Sequence, residues 1–76
     1  MKAQYIEIDE YGDKYYYSNK EMTILHREDG PAIITQDKNK YWYLNGKPHR
    51  EDGPAIEYLN GDKYWYCNGK FYLEKS

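Results

Sequence analysis

The chain has one cysteine, Cys67, three prolines and a single phenylalanine among its 76 residues. A lone cysteine cannot form an internal disulfide, so the staple of small secreted domains is excluded, and a reducing, cytoplasmic setting is the expectation. Leucine and valine are scarce. No run approaches the ~20 apolar residues of a membrane span, and residues 1–10 hold no apolar stretch of the kind that directs secretion. A membrane partner is therefore not expected. Basic runs are missing as well: 11 basic and 13 acidic residues are interspersed, for a net charge of −2. Nothing here would track a phosphate backbone, so nucleic acid is not an expected partner either. Helical periodicity is also absent, because Gly or Pro interrupts most windows of about 11 residues and none places apolar residues at i, i+3, i+4 and i+7.

What the chain does have is repetition. His26-Arg27-Glu28-Asp29-Gly30-Pro31-Ala32-Ile33 returns unchanged 23 positions later, beginning at His49. Downstream, Lys40-Tyr41-Trp42-Tyr43-Leu44-Asn45-Gly46-Lys47 returns as Lys63-Tyr64-Trp65-Tyr66-Cys67-Asn68-Gly69-Lys70. Repeats of this length are short supersecondary units that bury a face by stacking. Lys14-Tyr15-Tyr16-Tyr17 reads as a third, divergent aromatic strand. Each aromatic strand is preceded by an extended segment: residues 5–8, 32–35 and 55–58. Asn-Gly at 45–46, 60–61 and 68–69 signals tight hairpin turns of the primed types. The expected fold is all-β, a meandering antiparallel sheet of about three β-hairpin repeats with a 23-residue period. It forms one domain over 1–76, with a divergent copy at about 3–25 followed by copies at 26–48 and 49–73.

Eleven tyrosines, with Trp42, Trp65 and Phe71, dominate the apolar surface. Strand alternation puts Tyr15, Tyr17, Tyr41, Tyr43, Tyr64 and Tyr66 on one face, and Tyr16, Trp42, Leu44, Trp65 and Cys67 on the other. Neither face is polar. One is expected to be core, on the Trp side, and the other interface or solvent-exposed. A single layer this small is expected to gain further cover by pairing as a homodimer.

The stretch Trp42-Tyr43-Leu44-Asn45-Gly46-Lys47-Pro48-His49, with a second turn at Leu59-Asn60-Gly61-Asp62-Lys63, resembles the MORN-type repeats over roughly residues 5–73. The chain lacks that family's internal Tyr-x-Gly, and its turn after His49 is expanded to Arg50-Glu51-Asp52-Gly53-Pro54. The His-Arg-x-Asp-Gly-Pro-Ala signature is similar to a branch found in small proteins of phages and large viruses. The resemblance implies a scaffolding or binding protein in the host cytoplasm, acting as an inhibitor or adaptor. Some members contact lipid, a role that calls for a basic patch this chain lacks.

Both arginines and both histidines lie in the octapeptides. Arg27 and Arg50, beside His26 and His49, could present guanidinium forks to a partner's phosphate or carboxylate. The competing and favoured reading is structural. Each Arg would pair with an acid of the neighbouring repeat as a ladder, Gly30 and Gly53 would supply an unusual φ, and Pro31 and Pro54 would open the next strand. A metal site from His26, Asp29, His49 and Asp52 would need ligands from two loops to converge and is not expected. Duplicated His-Glu pairs with identical neighbours do not differentiate into acid and base, so no catalytic residue and no cofactor are expected. The expected function is non-enzymatic binding of a host protein, with Arg27, Arg50, His26, His49, Tyr41, Tyr43, Tyr64 and Tyr66 as contact residues. The alternative is sequestration of an anionic small molecule, such as a signalling nucleotide, by the Arg/His loops and aromatic stacking.

Overall fold

The computed structural model describes residues 4–73; residue 3, where the first copy was expected to begin, lies outside them. Nine strands form: β1 (Tyr5–Ile8), β2 (Lys14–Tyr17), β3 (Ile33–Ile34), β4 (Lys40–Tyr41), β5 (Tyr43–Leu44), β6 (Lys47–Pro48), β7 (Ile56–Glu57), β8 (Lys63–Cys67) and β9 (Lys70–Tyr72). Seven make one antiparallel sheet in the order β1-β2-β3-β4-β7-β8-β9, and β5 with β6 makes a second, two-stranded sheet. No helix occurs among the described residues. The chain is all-β.

The turn chemistry explains most of this order. Asn45 and Gly46 both take positive φ, 53° and 78°, as do Asn68 and Gly69, at 51° and 84°. These are the two-residue turns that close β5 on β6 and β8 on β9. Asn60-Gly61 differs from expectation, since only Gly61 (φ 102°) is positive there. It belongs to a five-residue turn in which Tyr58 N–H donates to Asp62 O and Gly61 N–H to Tyr58 O. The same pair of bonds closes residues 9–13 and 35–39. Gly12 (88°) and Lys38 (70°) hold the position of Gly61, so lysine carries a left-handed conformation that glycine carries in the other two turns.

These turns also set register. Tyr15 pairs with Glu7 of the segment before it, just as Tyr41 pairs with Ile33 and Tyr64 with Ile56. Glu7 therefore stands where Ile33 and Ile56 stand. The segment at 5–8 is one residue out of step with the alignment expected from sequence, and a one-residue slip reverses which side chains face which way.

Each aromatic strand serves two hairpins. Its first half pairs with the extended segment before it (β1–β2, β3–β4, β7–β8), and its second half with a return segment after it (β5–β6, β8–β9, and the bridge Tyr17–Leu25). Trp42 is the pivot where β4 gives way to β5. Its N–H donates to Ala55 O, and its carbonyl accepts from His49 N–H.

The core is thin. Only Tyr16 (9% exposed), Ala32 and Ala55 (both 0%) are buried among the described residues. Each alanine bridges two aromatic strands through its backbone. Ala32 N–H donates to Tyr41 O while its carbonyl accepts from Tyr16 N–H, and Ala55 does the same between Tyr64 and Trp42. Trp42 and Trp65 are half-buried, so the expected Trp-side core is a partial cover, and the fully enclosed side chains are methyl groups.

Candidate functional site

The two octapeptides form loops over the Trp side of the sheet, and equivalent atoms make equivalent bonds. His26 N–H donates to Tyr16 O and His49 N–H to Trp42 O; Arg27 N–H donates to Tyr43 O and Arg50 N–H to Tyr66 O. Each imidazole then reaches forward. Nδ1 of His26 accepts from Asn45 N–H at 2.9 Å, and Nδ1 of His49 from Asn68 N–H at 2.9 Å. Those asparagines are the positive-φ residues of the next tight turn, so each histidine pins the following hairpin. With Nδ1 accepting, the neutral ring carries its proton on Nε2. Nε2 lies 3.2 Å from Glu28 Oε2 in His26 and 3.5 Å from Glu51 Oε2 in His49.

The arginines turn inward on their own loops. Arg27 donates through Nε to Asp29 (3.0 Å) and through Nη1 to Pro31 O (3.2 Å), with its guanidinium carbon 4.0 Å from the centre of the Tyr16 ring. Arg50 repeats this with Asp52 (3.0 Å) and Pro54 O (3.0 Å) over Trp42 at 3.8 Å, and adds Glu57 at 2.9 Å. The expected ladder to acids of the neighbouring repeat is thus replaced by bonds within the same repeat: each arginine holds the acid two residues on and the carbonyl four residues on, and Arg50 also reaches Glu57 of β7. Gly30 and Gly53 are also reassigned: neither has positive φ. A Cβ on Gly53 would meet the Arg50 guanidinium carbon at 2.9 Å, and one on Gly30 that of Arg27 at 3.1 Å. Glycine is needed there because a planar cation is sandwiched between its backbone and an aromatic ring.

Between the loops lies a cleft of about 640 Å³, walled by residues 27–30 and 49–52, with Trp42 and Leu44 as its floor. Of the expected contact residues, Arg27, His49 and Arg50 line it and His26 does not. Tyr41, Tyr43, Tyr64 and Tyr66 fall on the opposite face. There Tyr58 stands edge-on to both Tyr41 (6.0 Å) and Tyr64 (5.8 Å), and Phe71 packs against Tyr64 (6.4 Å) and Tyr66 (5.5 Å). The expected contact set is divided between two surfaces.

Three hydroxyls on that face resist ionisation. Tyr15 is raised above the ordinary tyrosine value by burial and then by its hydrogen bond to Asp9. Tyr17 is raised by burial and its bond to Glu7, and Tyr41 by burial and the Tyr58 hydroxyl. No group of three or more His, Cys, Asp or Glu side chains capable of holding a metal gathers among the described residues.

Sequence reasoning missed Ala32 and Ala55, although both sit inside the duplicated octapeptide, and it missed Leu44 as cleft floor. It also missed the indole N–H of Trp65, which is buried without an acceptor. Comparison of the chain with protein-family models, curated proteins and solved structures finds no match.

Proposed function

We propose that the chain is a binding protein without catalytic chemistry, which takes a segment of a partner protein into the cleft between its two His-Arg-Glu-Asp-Gly loops. The cleft itself is the supporting observation: a concave site with an indole and a leucine at its base and polar walls, the usual make-up of a recognition site. Its walls are stiff, since the backbone and side chains of both loops are tied to the sheet at Tyr16, Tyr43, Trp42 and Tyr66. A preorganised wall loses little entropy on binding. By its resemblance to the His-Arg-x-Asp-Gly-Pro-Ala branch of MORN-type repeats, the partner is a host protein, met in the cytoplasm by a phage or large-virus inhibitor or adaptor.

Sequestration of an anionic small molecule has less support. In both arginines Nε and Nη1 already donate within the loop, and the cleft lining carries Glu28, Asp29, Glu51 and Asp52 against Arg27 and Arg50.

The test is affinity recovery from host lysate with wild-type protein and with Leu44→Glu and Glu51→Arg variants, identifying bound proteins and heat-released small molecules separately. The expected result is a stoichiometric protein that both variants lose. A partner retained by both variants, or recovery of a small anion alone, refutes the assignment.

A further inference from the structure

We infer that the segment held in the cleft is extended and carries a lysine or arginine close to an apolar residue. This rests on the cleft reading above and specifies what fills it.

The spacing of the walls argues for an extended chain. The two octapeptide loops lead into β3 and β7, which flank β4 in the sheet. Equivalent points on the loops are therefore two strand spacings apart, about 10 Å. A helix with its side chains is itself about 10–12 Å across, too wide for walls centred that close together. One extended chain fits, and every second side chain, about 7 Å from the last, turns toward the floor formed by Trp42 and Leu44.

Charge decides which side chains those are. Glu28, Asp29, Glu51 and Asp52 line the cleft against Arg27 and Arg50, and a further carboxylate, Glu57, is bonded to Arg50. Height matters as much as number. The arginine side chains are 22% and 21% exposed, seated over Tyr16 and Trp42 and donating to their own loops. The carboxylates of Asp29, Glu51 and Asp52 project, at 83%, 87% and 87% exposed. An incoming segment therefore meets acids before it reaches either guanidinium.

A rim of carboxylates above an apolar floor is matched by few side chains. Lysine and arginine match both levels, because the stem can lie on Trp42 and Leu44 while the head stays hydrated beside the acids. Aspartate and glutamate oppose the rim, and a wholly apolar segment leaves its charge unanswered. An apolar neighbour of the cation completes the cover of the floor. Among the acids Glu51 is best placed to take a new partner, since its contact with His49 Nε2 is 3.5 Å long, beyond a strong hydrogen bond.

Phage-displayed random peptides panned on the full chain, with the enriched sequences synthesised and titrated against it, supply the test. Enriched peptides are expected to share a Lys or Arg within two places of an apolar residue. They should shift the indole N–H resonance of Trp42 and leave that of Trp65 in place, and they should bind more weakly at about 0.5 M than at about 0.05 M salt. Glu51→Gln should weaken them about two- to fivefold, the range for one exposed ion pair, and Glu51→Arg should weaken them further. Peptides that shift Trp42 but are acidic or uncharged, or whose affinity ignores both salt and the Glu51 variants, overturn the inference and leave the cleft as a binding site. Peptides that leave Trp42 unshifted, or a selection that enriches nothing, overturn the inference and the cleft reading together.

Discussion

Arg50→Lys isolates what the guanidinium fork contributes, because lysine keeps the charge and the aliphatic stem. A single ammonium cannot lie flat on Trp42 while reaching Asp52, Pro54 O and Glu57. The bond to Asp52 counts for little, since that carboxylate is 87% exposed and pairs of this kind contribute under about 1 kcal/mol. Glu57 is 30% exposed and the Pro54 carbonyl bond is partly buried, so losing one of these costs about 1–2 kcal/mol. Loss of the planar stacking on Trp42 adds about 0.5–1 kcal/mol. The sum is about 2 kcal/mol, out of a total stability of about 4–11 kcal/mol at this chain length. A transition-temperature drop of about 8–16 °C follows. Arg27 has no third acceptor, because Ile34 stands where Glu57 does in the other copy, and it stacks on tyrosine, which holds cations less strongly than tryptophan. Arg27→Lys should therefore cost about half as much. Thermal melts followed by circular dichroism on the two single variants and the double give the ranking. An unchanged midpoint for Arg50→Lys, or a larger drop for Arg27→Lys, refutes the in-loop fork.

The glycine at the same joint is tested by context: Gly53→Ala should destabilise the chain in a wild-type background and cost little in an Arg50→Ala background, a coupling that a double-mutant cycle in urea measures. Equal costs in both backgrounds would mean the close approach to the guanidinium is not what requires glycine. Lys38→Gly should raise stability by about 0.5–1 kcal/mol, since it relieves a left-handed lysine at the position held by Gly12 and Gly61; a lower denaturation midpoint would contradict this. Alkaline pH should unfold the chain. Tyr15, Tyr17 and Tyr41 have folded pKa values raised above the unfolded value of about 10, so the folded state holds its protons more tightly. That stability is fully present below about pH 10 and is lost as pH rises through the folded values. Tyrosinate absorbance and circular dichroism recorded together should move in concert, and ionisation of all tyrosines with the sheet intact would count against it.

The sequence by itself determined the strand-and-turn plan. Asn45-Gly46 and Asn68-Gly69 can take two successive positive φ angles at low cost, and the aromatic strands favour a pleated, half-buried surface, so hairpins close there whatever surrounds them. Identity of the two octapeptides likewise carried over into identical bonds, from His Nδ1 to the next turn and from Arg to its own Asp, because equal local chemistry in equal surroundings has equal minima. Tertiary structure alone decided the rest. The fully buried residues are Ala32 and Ala55 because two aromatic strands approach them from either side and leave room only for a methyl group, a condition set by chain 9 to 16 residues away. Register put Glu7 in the place of isoleucine, since the turn at residues 9–13, and not the apolar pattern of β1, fixes where β2 begins to pair. Gly53 is required by a guanidinium parked against it, not by its own dihedral angle. Whether the arginines face a partner or their own loop turned on the positions of Tyr16 and Trp42, the rings stacked on the two cations, which a linear spacing does not reveal.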